Sequence, residues 1–190
     1  YLLNSHLHRL TLSARYFGYS LDRGRIRARL LKEARGFGRQ PRRVRLRINQ
    51  EGACLLESTV LKNEGKIDRP WIVAWAREPI DRNDPFLYHK TTLRTVYERA
   101  RAGRPVYDDV ILWNTDSEVT ESTLANVVIR KGGRYYTPPV SCGLLAGIFR
   151  GHLLAQGRVE ERVISRRMLE KADAVFLINS VRRWIPCKVI

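Results

Sequence analysis

Apolar residues recur at three- and four-residue intervals in the first two segments of the chain. Leu3, Leu7, Leu10 and Ala14 form one stripe along residues 2–17, and Ile26, Leu30 and Leu31 form another, with arginines outward, on a helix reaching Ala34. Ser20 is placed to cap this second helix, and Gly36-Phe37-Gly38 ends it. The period then changes to two. Val44-Arg45-Leu46-Arg47-Ile48 alternates as a half-buried strand does, Asn49–Gly52 turns, and Ala53–Leu61 returns. Asn63–Arg69 reads as a polar loop, and Trp71–Ala76 as a nearly all-apolar strand expected in the interior of a sheet. Pro79–Pro85 is loop-like, and a junction between two domains, residues 1–80 and 81–190, is expected there.

Beyond Lys90, the spacing of Leu93, Val96, Tyr97 and Ala100 predicts a helix to about Ala102. Asp109–Trp113 and Glu118–Thr120 read as strands around the turn Asn114–Ser117, and Ala125–Arg130 and Arg134–Thr137 as a hairpin around Gly132-Gly133. A helix is expected to start near Gly147. A strand Val159–Ile164, a helix capped by Ser165 and reaching Lys171, and a strand Ala174–Ile178 follow. The pattern is mixed α+β, with a smaller N-terminal part and a larger, strand-rich C-terminal part.

Composition narrows the class. Of 190 residues, 44% are hydrophobic and 28% charged, as in ordinary globular chains. No apolar run approaches the ~18–20 residues that span a bilayer. The start lacks the basic and apolar segments of a signal peptide, and lacks a Met, so the natural N-terminus is expected upstream. Cys54, Cys142 and Cys187 are far apart and odd in number, which argues against a disulfide framework or structural zinc and for a reducing, cytoplasmic setting. The net charge of +16, carried by 28 arginines and seven lysines, raises a nucleic-acid partner. Against it, the basic residues are scattered and no recognition-helix, RNP-like or zinc-finger signature is present, so nucleic-acid binding stands only as a non-enzyme alternative.

Several residues could carry chemistry, each with a plain structural reading beside it. Lys90 lies where a loop meets a helix, among aromatic and hydroxyl residues. A lysine amine becomes a nucleophile toward carbonyls when burial or a neighbouring cation lowers its pKa, though an isolated lysine is usually a solvated one. Glu121 is expected at a sheet end and partly buried, where a carboxylate needs cations or several donors. Asn126 could be only a turn residue, and Arg9 only one arginine among many. Gly143–Arg150 runs a turn into a helix N-terminus, whose unsatisfied N–H groups suit a phosphate, yet no P-loop lysine follows. Asn179-Ser180-Val181-Arg182-Arg183-Trp184 puts polar groups and cations at a strand end.

The order of these segments is more informative than any one of them. His6-Leu-His-Arg-Leu-Thr-Leu-Ser-Ala14, His89-Lys-Thr-Thr-Leu-Arg94, Val119-Thr-Glu-Ser-Thr-Leu-Ala-Asn-Val127, Gly143-Leu-Leu-Ala-Gly-Ile148 and Asn179-Ser180 together resemble the class IV, or fold-type IV, pyridoxal-phosphate enzymes, from about residue 2 to the end. That family contains branched-chain and D-amino acid aminotransferases and aminodeoxychorismate lyases. His-Lys-Thr-Thr before an Arg, Thr-Glu-Ser-Thr, and Asn-Ser-Val-Arg lean toward the lyases, including the lyase domain sometimes fused behind an aminodeoxychorismate synthase.

The resemblance implies pyridoxal 5'-phosphate as cofactor. It casts Lys90 as the lysine joined to the cofactor, Glu121 as the carboxylate facing the pyridine nitrogen, and Arg9, the backbone at Gly147 and Ile148, and Ser180 as phosphate contacts, with Asn126 in the same motif as Glu121. It implies elimination of pyruvate from 4-amino-4-deoxychorismate to give 4-aminobenzoate for folate synthesis, with aminotransfer as the alternative. A small anionic substrate follows, with Arg94, Arg182 and Arg183 available at a cationic mouth, and so does a homodimer. Phe149 stands where aminotransferase relatives commonly carry Thr, so one side-chain phosphate bond is expected to be missing. The family also has one or two strands, roughly 20–25 residues, ahead of the first helix.

Overall fold

A computed structural model describes residues 1–61 and 68–190, so residues 63–67 of the loop expected at Asn63–Arg69 lie outside the described residues. The chain divides into two compact units, Tyr1–Lys66 and Ile67–Ile190. In the first, α1 (Leu3–Tyr16) and α2 (Arg23–Arg35) precede an antiparallel pair, β1 (Arg42–Ile48) and β2 (Cys54–Val60), in unbroken register from Arg42↔Val60 to Ile48↔Cys54. Leu7, Ala14 and Ile26 supply its buried apolar side chains among the described residues. The cap of α2 is Asp22 rather than Ser20: the Asp22 carboxylate accepts from the Arg25 N–H at 2.8 Å, and an anion there also suits the helix dipole. The Ser20 N–H is used elsewhere, donating to the Gln50 carbonyl.

The second unit is built on a closed sheet. β3 (Trp71–Trp75), β4 (Asp109–Trp113), β5 (Val119–Ser122), β6 (Asn126–Lys131), β9 (Ala174–Asn179) and β10 (Arg183–Val189) follow one another in the spatial order β5-β4-β3-β10-β9-β6, and a β5–β6 pairing closes the ring. β7 (Arg134–Thr137) and β8 (Glu160–Glu161) extend it from β6. β3 runs parallel to β4 and β10, while β4–β5, β5–β6, β6–β9 and β9–β10 are antiparallel. Inward side chains fill a barrel this small. Here Val73, Ile111, Val119, Val127, Ile129, Leu177 and Ile185 form one fully buried cluster. Helices α3 (Thr95–Ala102), α4 (Ile148–Ala155) and α5 (Arg166–Glu170) complete the unit, with Ser165 capping α5 through the Met168 N–H.

Three expectations are corrected. The junction placed within Pro79–Pro85 falls instead at residues 66/67, because Trp71–Trp75 pairs with β4 and β10 and Ile80 is buried against Val110 and Leu112. The strand expected over Val159–Ile164 shrinks to Glu160–Glu161: it is an outer strand pairing only with Tyr136 and Thr137 of β7. Its flanking apolar residues, Val159 and Ile164, pack into two different clusters. The Arg183–Trp184 segment, read as a strand end, begins a further strand, β10. Pro186 lies within it, where β10 pairs with β9 but its ladder to β3 has not begun, so a missing N–H is tolerated.

Candidate active site

The seam that closes the barrel also gathers its polar groups. The single β5–β6 pair is Glu121↔Asn126, joined by a tight turn in which the Ser122 hydroxyl donates to the Ala125 carbonyl and the Ala125 N–H donates back to it. Glu121 is 4% exposed. Its Oε1 accepts from the Tyr97 hydroxyl on α3 at 2.7 Å and from the Leu145 N–H at 3.1 Å, and its Oε2 from Asn126 Nδ2 at 3.3 Å. Asn126 Nδ2 also donates to the Leu145 carbonyl at 2.9 Å, tying β6 to the segment ahead of α4.

The electrostatics of Glu121 are a contest. Burial pushes its pKa up to about 7, against the downward pull of Tyr97, the Leu145 N–H and the cations Lys90 and Arg94. Lys90 itself is exposed, in the stretch between the short 3-10 turn Pro85–Leu87 and α3. Arg94 ends that stretch. Its guanidinium donates to the Thr123 carbonyl in the β5–β6 turn and lies 4.5 Å from the centre of the Tyr97 ring. Loop, helix and turn are thereby fastened together around one carboxylate.

Two residues beyond the Leu145 N–H, α4 begins at Gly147, its N-cap. No side chain caps it and no acidic residue occupies its first turn, so no carboxylate of its own helix offsets the positive end of the helix dipole there. A Cβ on Gly147 would sit 1.9 Å from Asn126 Oδ1, so only glycine allows the helix start to approach β6 this closely. Gly143, at φ 95°, makes the preceding turn, where a Cβ would meet the Arg82 backbone at 2.9 Å. Phe149 points away from the helix start into a core with Val128, Leu153, Val159 and Ile178, and meets Trp184 edge-to-face at 6.4 Å.

Ser180 lies in the β9–β10 turn, half-buried. Asn179 holds that turn by accepting from the Val181 and Arg182 N–H groups, and its Nδ2 reaches the Leu124 carbonyl at 3.5 Å, placing it beside the β5–β6 turn. Arg182 and Arg183 are exposed on the same turn. The second unit therefore gathers Lys90, Glu121, Asn126, Gly147 and Ile148 at one end of the barrel, with Ser180 in an adjoining turn. Arg9 sits half-buried on α1, in the other unit. Sequence reasoning missed Tyr97 and the Leu145 backbone as partners of Glu121. The periodicity shows Tyr97 only as part of an apolar helix face; the available signal was a hydroxyl on that face, which seeks a partner when buried.

Comparison with known proteins shows the family and the fold. The family model for class IV amino-transferases matches residues 1–190. A Schizosaccharomyces pombe protein named as a putative aminodeoxychorismate lyase is 29% identical over 96% of this chain and 81% of its own length. The crystal structure of a putative amino-acid aminotransferase from Mesorhizobium loti superposes with a TM-score of 0.90 at 35% identity, over 99% of this chain and 91% of that one. A Pseudomonas aeruginosa 4-amino-4-deoxychorismate lyase shares the fold, with a TM-score of 0.80 at 20% identity, over 99% and 77%. The chain is thus a member of the class IV amino-transferase family, fold-type IV enzymes that depend on pyridoxal phosphate.

Proposed function

We propose that this protein is a pyridoxal-phosphate-dependent lyase that converts 4-amino-4-deoxychorismate to 4-aminobenzoate and pyruvate. The observation that carries the choice of reaction is the likeness to the S. pombe protein over 96% of this chain and 81% of that one, with the Thr120-Glu121-Ser122-Thr123 and Asn179–Arg182 segments leaning the same way.

The residues present fit the cofactor. A buried carboxylate, a helix N-terminus with no side-chain cap and no acidic first turn, set against β6 as closely as only glycine allows, and an amine close enough to act on that carboxylate are what a protonated pyridine, a phosphate and an aldehyde respectively require. In this reading Lys90 holds the cofactor covalently. Glu121, with Asn126 beside it, faces the ring nitrogen. The N–H groups at Gly147 and Ile148 hold the phosphate together with Ser180. When bound, the cofactor supplies an electron sink. Lys90 Nζ would take the proton from the substrate ring carbon that bears nitrogen and return it to the methylene carbon of the departing enolpyruvyl group, so that cleavage of the C–O bond to the ring releases pyruvate and leaves an aromatic ring, which makes the elimination strongly downhill. Glu121 stays ionised against the ring nitrogen and keeps it protonated. Arg94, Arg182 and Arg183 attract the two substrate carboxylates. The working form is a homodimer in the cytoplasm, acting with or fused to an aminodeoxychorismate synthase.

A second reading, aminotransfer, is favoured by the 35% identity to the M. loti protein. Two assays separate them. Release of 4-aminobenzoate from aminodeoxychorismate, with no exchange between branched-chain amino acids and 2-oxoglutarate, is expected. Amino-group exchange without 4-aminobenzoate would replace the lyase reading with the second one.

A further inference from the structure

Tyr97 has no part in the family motifs read from the sequence, yet it makes the shortest hydrogen bond to Glu121, 2.7 Å from phenol to Oε1. It comes from a different element, α3, and it is itself held: Arg94 lies over its ring at 4.5 Å while reaching the Thr123 carbonyl. The second donor to the same oxygen is the Leu145 N–H, at 3.1 Å. Two donors on Oε1 leave Oε2, with its long 3.3 Å contact to Asn126, as the more available oxygen.

We propose that Tyr97 is a positioning residue for the reaction: its phenol locks one oxygen of Glu121 so that the other is presented to the cofactor ring. The proposal rests on the reading that Glu121 faces that ring, but its test does not depend on it. The charged and titratable groups acting on this pair are Lys90 and Arg94, ahead of α3, with Asp84 acting on Tyr97 from the preceding loop; Asn126 and Leu145 contribute neutral donors. Burial and the neighbouring carboxylate hold the Tyr97 phenol well above its ordinary range, so it remains a donor at every working pH. A donor to the ionised form of a carboxyl stabilises that form, so its loss must raise the carboxyl's pKa.

The experiment is a carbon-13 NMR titration of the Glu121 side-chain carboxyl in cofactor-free protein, assigned with Glu121→Gln. Tyr97→Phe keeps the ring and its packing but removes the donor. Its Glu121 midpoint should rise by about one to two pH units, the range expected for a lost hydrogen bond to a charged group. Should Tyr97→Phe fail to fold, fluorotyrosine at position 97 strengthens the donor and should move the midpoint down. In the loaded enzyme, the acid limb of kcat should follow the same direction in each variant. An unmoved midpoint, with only the melting temperature altered, would overturn the proposal and reduce Tyr97 to packing. A moved midpoint in a protein that binds no pyridoxal phosphate would uphold the Tyr97–Glu121 link and overturn the proposed function instead.

Discussion

Glu121 and Asp109 are two enclosed carboxyls on neighbouring strands of one barrel, and burial pushes the pKa of both upward. Their partners differ. Those of Glu121 converge from α3, from β6 and from the segment ahead of α4, with Lys90 and Arg94 adding charge from a fourth stretch. Those of Asp109 are its own neighbour, the Val110 N–H at 2.8 Å, and the Thr123 hydroxyl, with Arg101 Nη1 at 3.9 Å. The Thr123 N–H also donates to the Val110 carbonyl, so Asp109 fastens the β5–β6 turn to β4. A carboxyl that many elements approach, with an exposed amine within electrostatic reach, is arranged for chemistry. One held chiefly by its own strand and by the adjoining β5–β6 turn, with a single α3 arginine at 3.9 Å, is arranged to hold that turn in place.

Substitutions test that contrast directly. Lys90→Ala should have the largest effect, abolishing both turnover and the visible absorbance of the reconstituted protein. Glu121→Ala should keep some cofactor but lower kcat by about 10²–10³, as loss of a preorganised electrostatic partner does. Asp109→Asn, which retains an acceptor for Val110 and Thr123, should leave kcat near that of the parent. An equal fall in the Glu121 and Asp109 variants would erase the distinction drawn between the two carboxyls.

A smaller effect lies in the pH dependence of stability without cofactor. The Glu121 pKa is raised on folding, from 4.5 to about 7, so its contribution favours the native state fully below about pH 4.5 and is lost as pH rises through about 7. Glu121→Gln removes that titration. The variant should lose less stability than the parent between those limits, by up to about 3 kcal/mol by linkage. Denaturant melts at pH 4.5, 6 and 7.5 measure it; parallel curves for parent and variant would mean that the carboxyl is not enclosed as described. Asp109→Asn should show a change of the same sign, since burial raises that group as well.

The same contrast explains what could be read without coordinates. Periodicity and turn signals located α1, β1, β4 and β7 within a residue or two, and found α3 but not its start at Thr95. It missed β10, where Pro186 and the cations Arg183 and Lys188 mask a strand, and overextended the segment at Val159–Ile164, where side chains are buried without a ladder to support them. Glu121 was legible as a buried carboxylate because a polar residue interrupts apolar strands. The direct contribution of Leu145 was not, since a backbone N–H carries no sequence signature. Tyr97 was hidden by its apolar ring, and the approach of Gly147 to Asn126 joins two separate elements, which periodicity does not show.

The most direct measurement is reductive trapping. Protein reconstituted with pyridoxal phosphate is reduced with borohydride, digested, and mapped by mass spectrometry across its seven lysines. A phosphopyridoxyl mass on Lys90 alone is the expected result. The same mass spread over surface lysines, or found at another position with Lys90 unmodified, would contradict the assignment of this amine and of the carboxylate behind it.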